Sequence, residues 1–95
     1  MTIHDEIERA IQQYEQIIVH AASRTRQMID RYGEIQALSR LMISADLQQG
    51  FKALRDRNQL DLTFEAIVVR HPEAFSDEAV EAARWRLEHP HDLLS

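Results

Sequence analysis

Residues 2–32 read TIHDEIERAIQQYEQIIVHAASRTRQMIDRY, from Thr2 to Tyr32, without a glycine or a proline. Within this stretch Ile7, Ile11, Tyr14, Ile18, Ala21, Thr25, Met28 and Tyr32 follow one another at alternating steps of four and three. That is the spacing of a coiled-coil seam, sustained for most of four heptads. The spacing predicts one amphipathic helix from about residue 2 to residue 32. At roughly 1.5 Å rise per residue it would be about 45 Å long. A 95-residue chain cannot cover such a helix by itself.

The apolar surface of the stretch is wider than a seam. Ile17, Ile18 and Val19 are consecutive and span roughly 200° of a helix circumference at about 100° per residue. One arc can pack on the chain's own remainder while another meets a partner. The flanking positions Gln12, Val19, Arg26, Glu6, Gln13, His20 and Gln27 lack the Glu/Lys ladder that sets register in a free zipper. The expectation is therefore a helical bundle completed by a second copy. Its interface would be built from Ile7, Ile11, Tyr14, Ile18, Ala21, Thr25 and Met28.

Both ends of the stretch suit a helix. Thr2 and Asp5 approximate a capping box, and Asp5, Glu6 and Glu8 place negative charge at the positive end of the dipole. Gly33 is the natural stop. Beyond it, Ile35, Leu38, Leu41 and Met42 share a face of a second helix over 34–45. Ser44 or Asp46 could cap a third, with Leu47, Phe51 and Leu54 aligned and Gly50 marking a close approach or a break. The segment Phe64-Glu-Ala-Ile-Val-Val is β-branched enough to compete as a strand. A lone strand would have no partner, and Asp61 and Thr63 start helices well, so a short helix ending before Pro72 is expected. Ser76 caps a last helix whose inner face is Val80, Ala83 and Leu87, ended by Pro90. The expected architecture is a single all-α domain. It comprises a long N-terminal helix (1–32), a small helical module (33–88) of about four shorter helices, and a tail (89–95).

Composition narrows the function classes. The chain has no cysteine, which excludes a disulfide framework and a thiolate zinc site and suits the cytoplasm. It has no basic leader and no apolar run near the 18 or so residues of a membrane span. The net charge of -5 is unevenly spread: residues 24–57 carry an excess of bases, and both ends carry an excess of acids. Ten of the eleven bases are Arg, the residue suited to bidentate pairing with carboxylate or phosphate. Salt bridging between the middle and the ends is the simpler account. An Arg-lined nucleic-acid site using Arg24, Arg26, Arg31, Arg40 and Arg55 is the alternative.

Residues 33–87 also resemble a small, uncharacterised, all-helical bacterial domain found alone or at the C-terminus of larger proteins. Gly33, Ala37, Arg40, Leu41, Gly50-Phe51 and Leu54 carry the resemblance. So do Leu60-Asp-Leu-Thr63 with Glu65 and Val68, then Pro72, Phe75, Glu78, Ala83, Arg84 and Leu87. Some of the larger proteins look like components of mobile elements or of defence against them. The resemblance implies an all-helical fold and carries no activity, so it assigns no functional residue.

Candidate chemistry is sparse. His89-Pro-His91-Asp92 gathers metal ligands, but the proline prevents helical presentation and no further ligand is near in sequence. His20 and His71 lack a companion nucleophile or acid at telling spacing, and structural roles are expected for both. Asp61 and Glu65 could be paired carboxylates; a cap plus a salt bridge to Arg84 or Arg86 is the simpler account. Arg84, Trp85 and Arg86 form the most suggestive surface, since an aromatic flanked by two Arg can anchor a partner or stack on a base. No phosphate-binding loop, zinc-protease helix or nucleophilic triad is present. The expectation is a non-enzymatic homodimer without metal or cofactor that binds another protein through Arg84, Trp85, Arg86, Arg24 and Arg26. A phage-type or mobile-element inhibitor of a bacterial nucleic-acid enzyme, and an Arg-mediated nucleic-acid binder, are the competing readings.

Overall fold

The computed structural model describes residues 2–43 and 49–91, and the described residues are all-helical. Among the described residues six α-helices follow one another: α1 (Ile3–Ile18), α2 (Ser23–Tyr32), α3 (Glu34–Ile43), α4 (Gln49–Asp56), α5 (Phe64–Arg70) and α6 (Asp77–Glu88). Single 3-10 turns at Leu60–Leu62 and Pro72–Ala74 bracket α5. The expected caps Ser44 and Asp46, the apolar Leu47 and Asp92 of the tail lie outside the described residues.

The all-helical class is as expected, but the single long helix is not. The chain bends between Ile18 and Ser23, and α1 and α2 are separate helices. The molecule's longest dimension is 33 Å, too short for a straight helix of about 45 Å. No glycine or proline makes the bend. Val19 ends α1 in the left-handed conformation at φ 53°, and the His20 N–H reaches back to the Glu15 carbonyl at 3.2 Å. Glycine normally occupies that place, and a β-branched residue there costs about 1–2 kcal/mol. The compensation is burial. Bending lets α1 lay Ile7, Ala10 and Ile11 into the chain's own core.

That core is assembled from α1, α3, α5 and α6. Leu38, Leu41 and Met42 of α3 meet Ile67 and Val68 of α5 and Ala79, Val80 and Ala83 of α6, with Phe75 closing the corner. α5 and α6 pair most extensively, α3 lies on α6 and α2, and α1 crosses α4, α5 and the Leu60–Leu62 turn. α2 has no buried residue of its own and leans its half-buried Met28 and Ile29 on the core.

Local chemistry explains where the helices start and stop. Thr2 and Asp5 form a reciprocal capping box. Thr63 and Ser76 accept from the N–H groups of Ala66 and Ala79 at 3.1 and 3.2 Å. Thr63 also donates its hydroxyl to the Leu60 carbonyl at 2.7 Å, which locks the turn before α5. The β-branched run Ile67-Val68-Val69 is thus helical because its N-terminus is capped and it packs on α6. Gly33, at φ 82° and ψ 163°, lets α3 begin one residue after α2 ends. Gly50 sits inside α4 without a break, and a Cβ there would meet only Tyr14, at an ordinary 4.0 Å.

Candidate interaction site at the elbow

The bend between α1 and α2 is held by a carboxylate, not by a turn residue. Glu15 Oε2 accepts from the Ala22 N–H at 2.7 Å and from Arg26 Nε at 2.9 Å, while Oε1 accepts from Arg26 Nη2 at 2.8 Å. Arg26 Nη1 reaches Glu8 at 3.2 Å. Ala22 has no capping side chain, so α1 supplies through Glu15 the negative group that the N-terminus of α2 lacks. The Arg26 hydrogen bonds, with that of the Ala22 N–H, hold the Glu15 carboxyl down at about 2. The same contacts raise the Arg26 guanidinium.

Under the elbow lies a cavity of about 360 Å³. Ile11, Tyr14 and Ile18 of α1 form one wall, His20 to Thr25 the rim, and Leu41, Met42, Phe51, Leu54 and Phe64 the opposite side. Glu65 is the only carboxylate that lines the cavity among the described residues. It is buried, and Arg86 Nη1 donates to it at 2.8 Å. Arg86 Nη2 also donates to the Met42 carbonyl of α3 at 2.7 Å. Burial pushes the Glu65 carboxyl up, and the Arg86 contact only partly offsets it.

The elbow displays apolar side chains. Val19 is 87% exposed and Ile18 39%. The seven residues expected at the interface therefore do not form one line. Ile7 and Ile11 are in the core; Tyr14, Ile18, Ala21 and Thr25 border the cavity; Met28 packs from α2.

Arg84, Trp85 and Arg86 likewise part company. Arg86 is buried, which corrects its expected place on the surface: its guanidinium donates to Glu65 and to the Met42 carbonyl of α3. Arg84 pairs with Glu81 on the surface at 3.2 Å. Trp85 is 48% exposed and stacks on His89 with ring centroids 4.6 Å apart. Among the Arg residues of the middle segment, Arg26 belongs to the elbow latch, and Arg55 pairs with Asp56 and donates to the Pro90 carbonyl. Arg31 and Arg40 lie over the Tyr32 ring. Arg24, at the cavity rim, makes no such contact among the described residues.

His71 and Arg70 hold Glu6, tying α1 to the end of α5. Burial pushes the Glu6 carboxyl up, and these hydrogen bonds more than reverse it. Among the described residues no three acidic or histidine side chains gather to hold a metal, and no helix is long and apolar enough to cross a membrane.

Sequence reasoning missed Glu15 altogether. Its partners lie seven and eleven residues ahead, a spacing that means nothing until the helix is known to bend. No protein-family profile, curated protein or solved structure matches this chain.

Proposed function

We propose that this protein is a non-catalytic interaction protein that acts as a helical homodimer, with the elbow face at the contact between copies. The observation that carries the reading is Val19, whose isopropyl group stands 87% exposed beside Ile18, on a backbone conformation that valine seldom adopts. Displayed apolar groups next to a half-open cavity mark an interaction face. Trp85 and Arg84, exposed on α6 away from Arg86's buried contacts, would serve a further protein partner of the assembled dimer. The cytoplasm is the proposed setting.

The test is the solution mass by light scattering over a dilution series. The wild type should approach twice the 11.1 kDa chain mass, and Ile18→Glu should return it to one chain mass by placing an unpaired charge in the contact. A wild type that stays at one chain mass at every concentration overturns the reading.

A further inference from the structure

Building on the homodimer reading, we propose that the elbow at Val19–Ala22 opens so that residues 3–32 form one continuous helix. In that form α1 docks on the body of a second copy in place of its own. The partner this surface fits is therefore the chain itself, with its N-terminal helix exchanged.

Three independent observations converge on the exchange. The first is periodicity: the four-three spacing runs through the elbow from Tyr14 to Ile18, Ala21, Thr25 and Met28 without losing phase. A chain built only to bend there has no need of a seam that continues across the bend. The second is the backbone. The elbow residues Val19-His-Ala-Ala22 contain no helix breaker and include two of the best helix formers. Val19 departs from helix into the left-handed region at φ 53° and Ala22 leaves it at φ -81°, ψ 62°, and a short hinge under strain invites exchange between copies.

The third is which contacts the bend requires. α1 reaches the body through Ile7, Ala10 and Ile11, through Glu6 with Arg70 and His71, and through Gln13 with Gln59. All of these can form between copies as well as within one. By contrast, the latch of Glu15 with Ala22 and Arg26, and of Glu8 with Arg26, depends on bending, as does the His20 N–H bond to the Glu15 carbonyl that closes the end of α1. On a straight helix Glu15 and Arg26 would stand roughly 16 Å apart along the axis, and Glu8 and Arg26 roughly 27 Å. The latch thus holds the closed form specifically. Once the helices are straight, Ile18, Ala21 and Thr25 of two copies can face one another where the chains cross.

The experiment combines light scattering with an intrachain distance. The chain has no cysteine, so Arg9→Cys with Gln27→Cys, both exposed positions beside the Glu8–Arg26 contact, can carry spin labels uniquely. Labelled protein is diluted into an excess of unlabelled chain. In the bent form the labels are near neighbours; in the straight form they are separated by roughly 27 Å along the axis.

Val19→Ala, which favours helix, should raise the association constant about tenfold, and Val19→Gly, which favours the left-handed bend, should lower it by a similar factor. Arg26→Gln should act like Val19→Ala, and every dimer should show the long distance. A dimer that keeps the short distance overturns exchange while leaving the homodimer reading intact. Association weakened alike by Val19→Ala and Val19→Gly also overturns it, because Val19 would then be a packed surface residue. A wild type that stays monomeric while Val19→Ala forms long-distance dimers supports the opening and overturns the homodimer as the working form. Monomers in every variant overturn both.

Discussion

Glu15 and Arg26 lie eleven residues apart and meet through paired hydrogen bonds of 2.8 and 2.9 Å, turning what reads as one helix into two. The Glu15 carboxyl is held at about 2, below the ordinary 4.5, by the Arg26 contacts first and the Ala22 N–H second. A depressed carboxylate stabilises the native fold fully above its unfolded value, and that contribution fades as pH falls toward the folded one. Urea unfolding should therefore show a loss between pH 4.5 and pH 2 that is smaller in Glu15→Gln. Both side chains are partly exposed, so the latch should be worth about 1 kcal/mol at neutral pH. An unchanged pH profile in Glu15→Gln would show that other carboxylates govern acid unfolding.

The elbow also marks the limit of what the sequence discloses. Thr2, Thr63 and Ser76 are legible as caps because a cap is a local bond, three residues long, and the structure has all three. The apolar faces of α3 and α6 are legible for the same reason of period. The bend is illegible because its cause is not local. Val19 carries no turn signal, and Glu15 binds Arg26 only after the chain has folded back. Arg86 was half legible. The sequence offers it both as a flank of Trp85 and as a salt-bridge partner of Glu65, and the structure has the second, across twenty-one residues.

Buried pairs are strongly asymmetric in energy: removing one partner is far worse than never having had either. Arg86→Leu should destabilise the fold by about 3–5 kcal/mol, because it leaves the Glu65 carboxylate buried without its cation. The double change Glu65→Leu with Arg86→Leu should recover part of this loss. It should not recover all, because the Met42 carbonyl loses its donor as well. Chemical denaturation of the singles and the double measures the difference. A double variant as unstable as Arg86→Leu would assign the whole cost to the lost bond to the Met42 carbonyl.

Thr63 is fully buried, and its hydroxyl both accepts from Ala66 and donates to Leu60. Thr63→Val keeps the shape and loses both bonds, and should cost about 1–2 kcal/mol. Thr63→Ser should cost less, since it retains the bonds and loses only a methyl group. Equal losses in the two variants would mean that packing of the methyl, not the cap, is what α5 needs.

Gly33 and Val19 make opposite predictions from the same torsion. Gly33 takes φ 82° with ψ 163° and has open space where a Cβ would stand. Gly33→Ala should thus destabilise by about 1–3 kcal/mol through backbone strain alone. At Val19 the left-handed backbone already carries a β-branched side chain that is exposed and contributes little packing to its own chain. Val19→Gly should stabilise the bent monomer by about 1 kcal/mol, the strain relieved exceeding the entropy that glycine adds to the unfolded chain. Thermal unfolding at low concentration, where each variant is a single chain, reads both signs. A destabilised Val19→Gly would mean that the isopropyl group stabilises the monomer after all, and the elbow would then be a rigid corner of the fold.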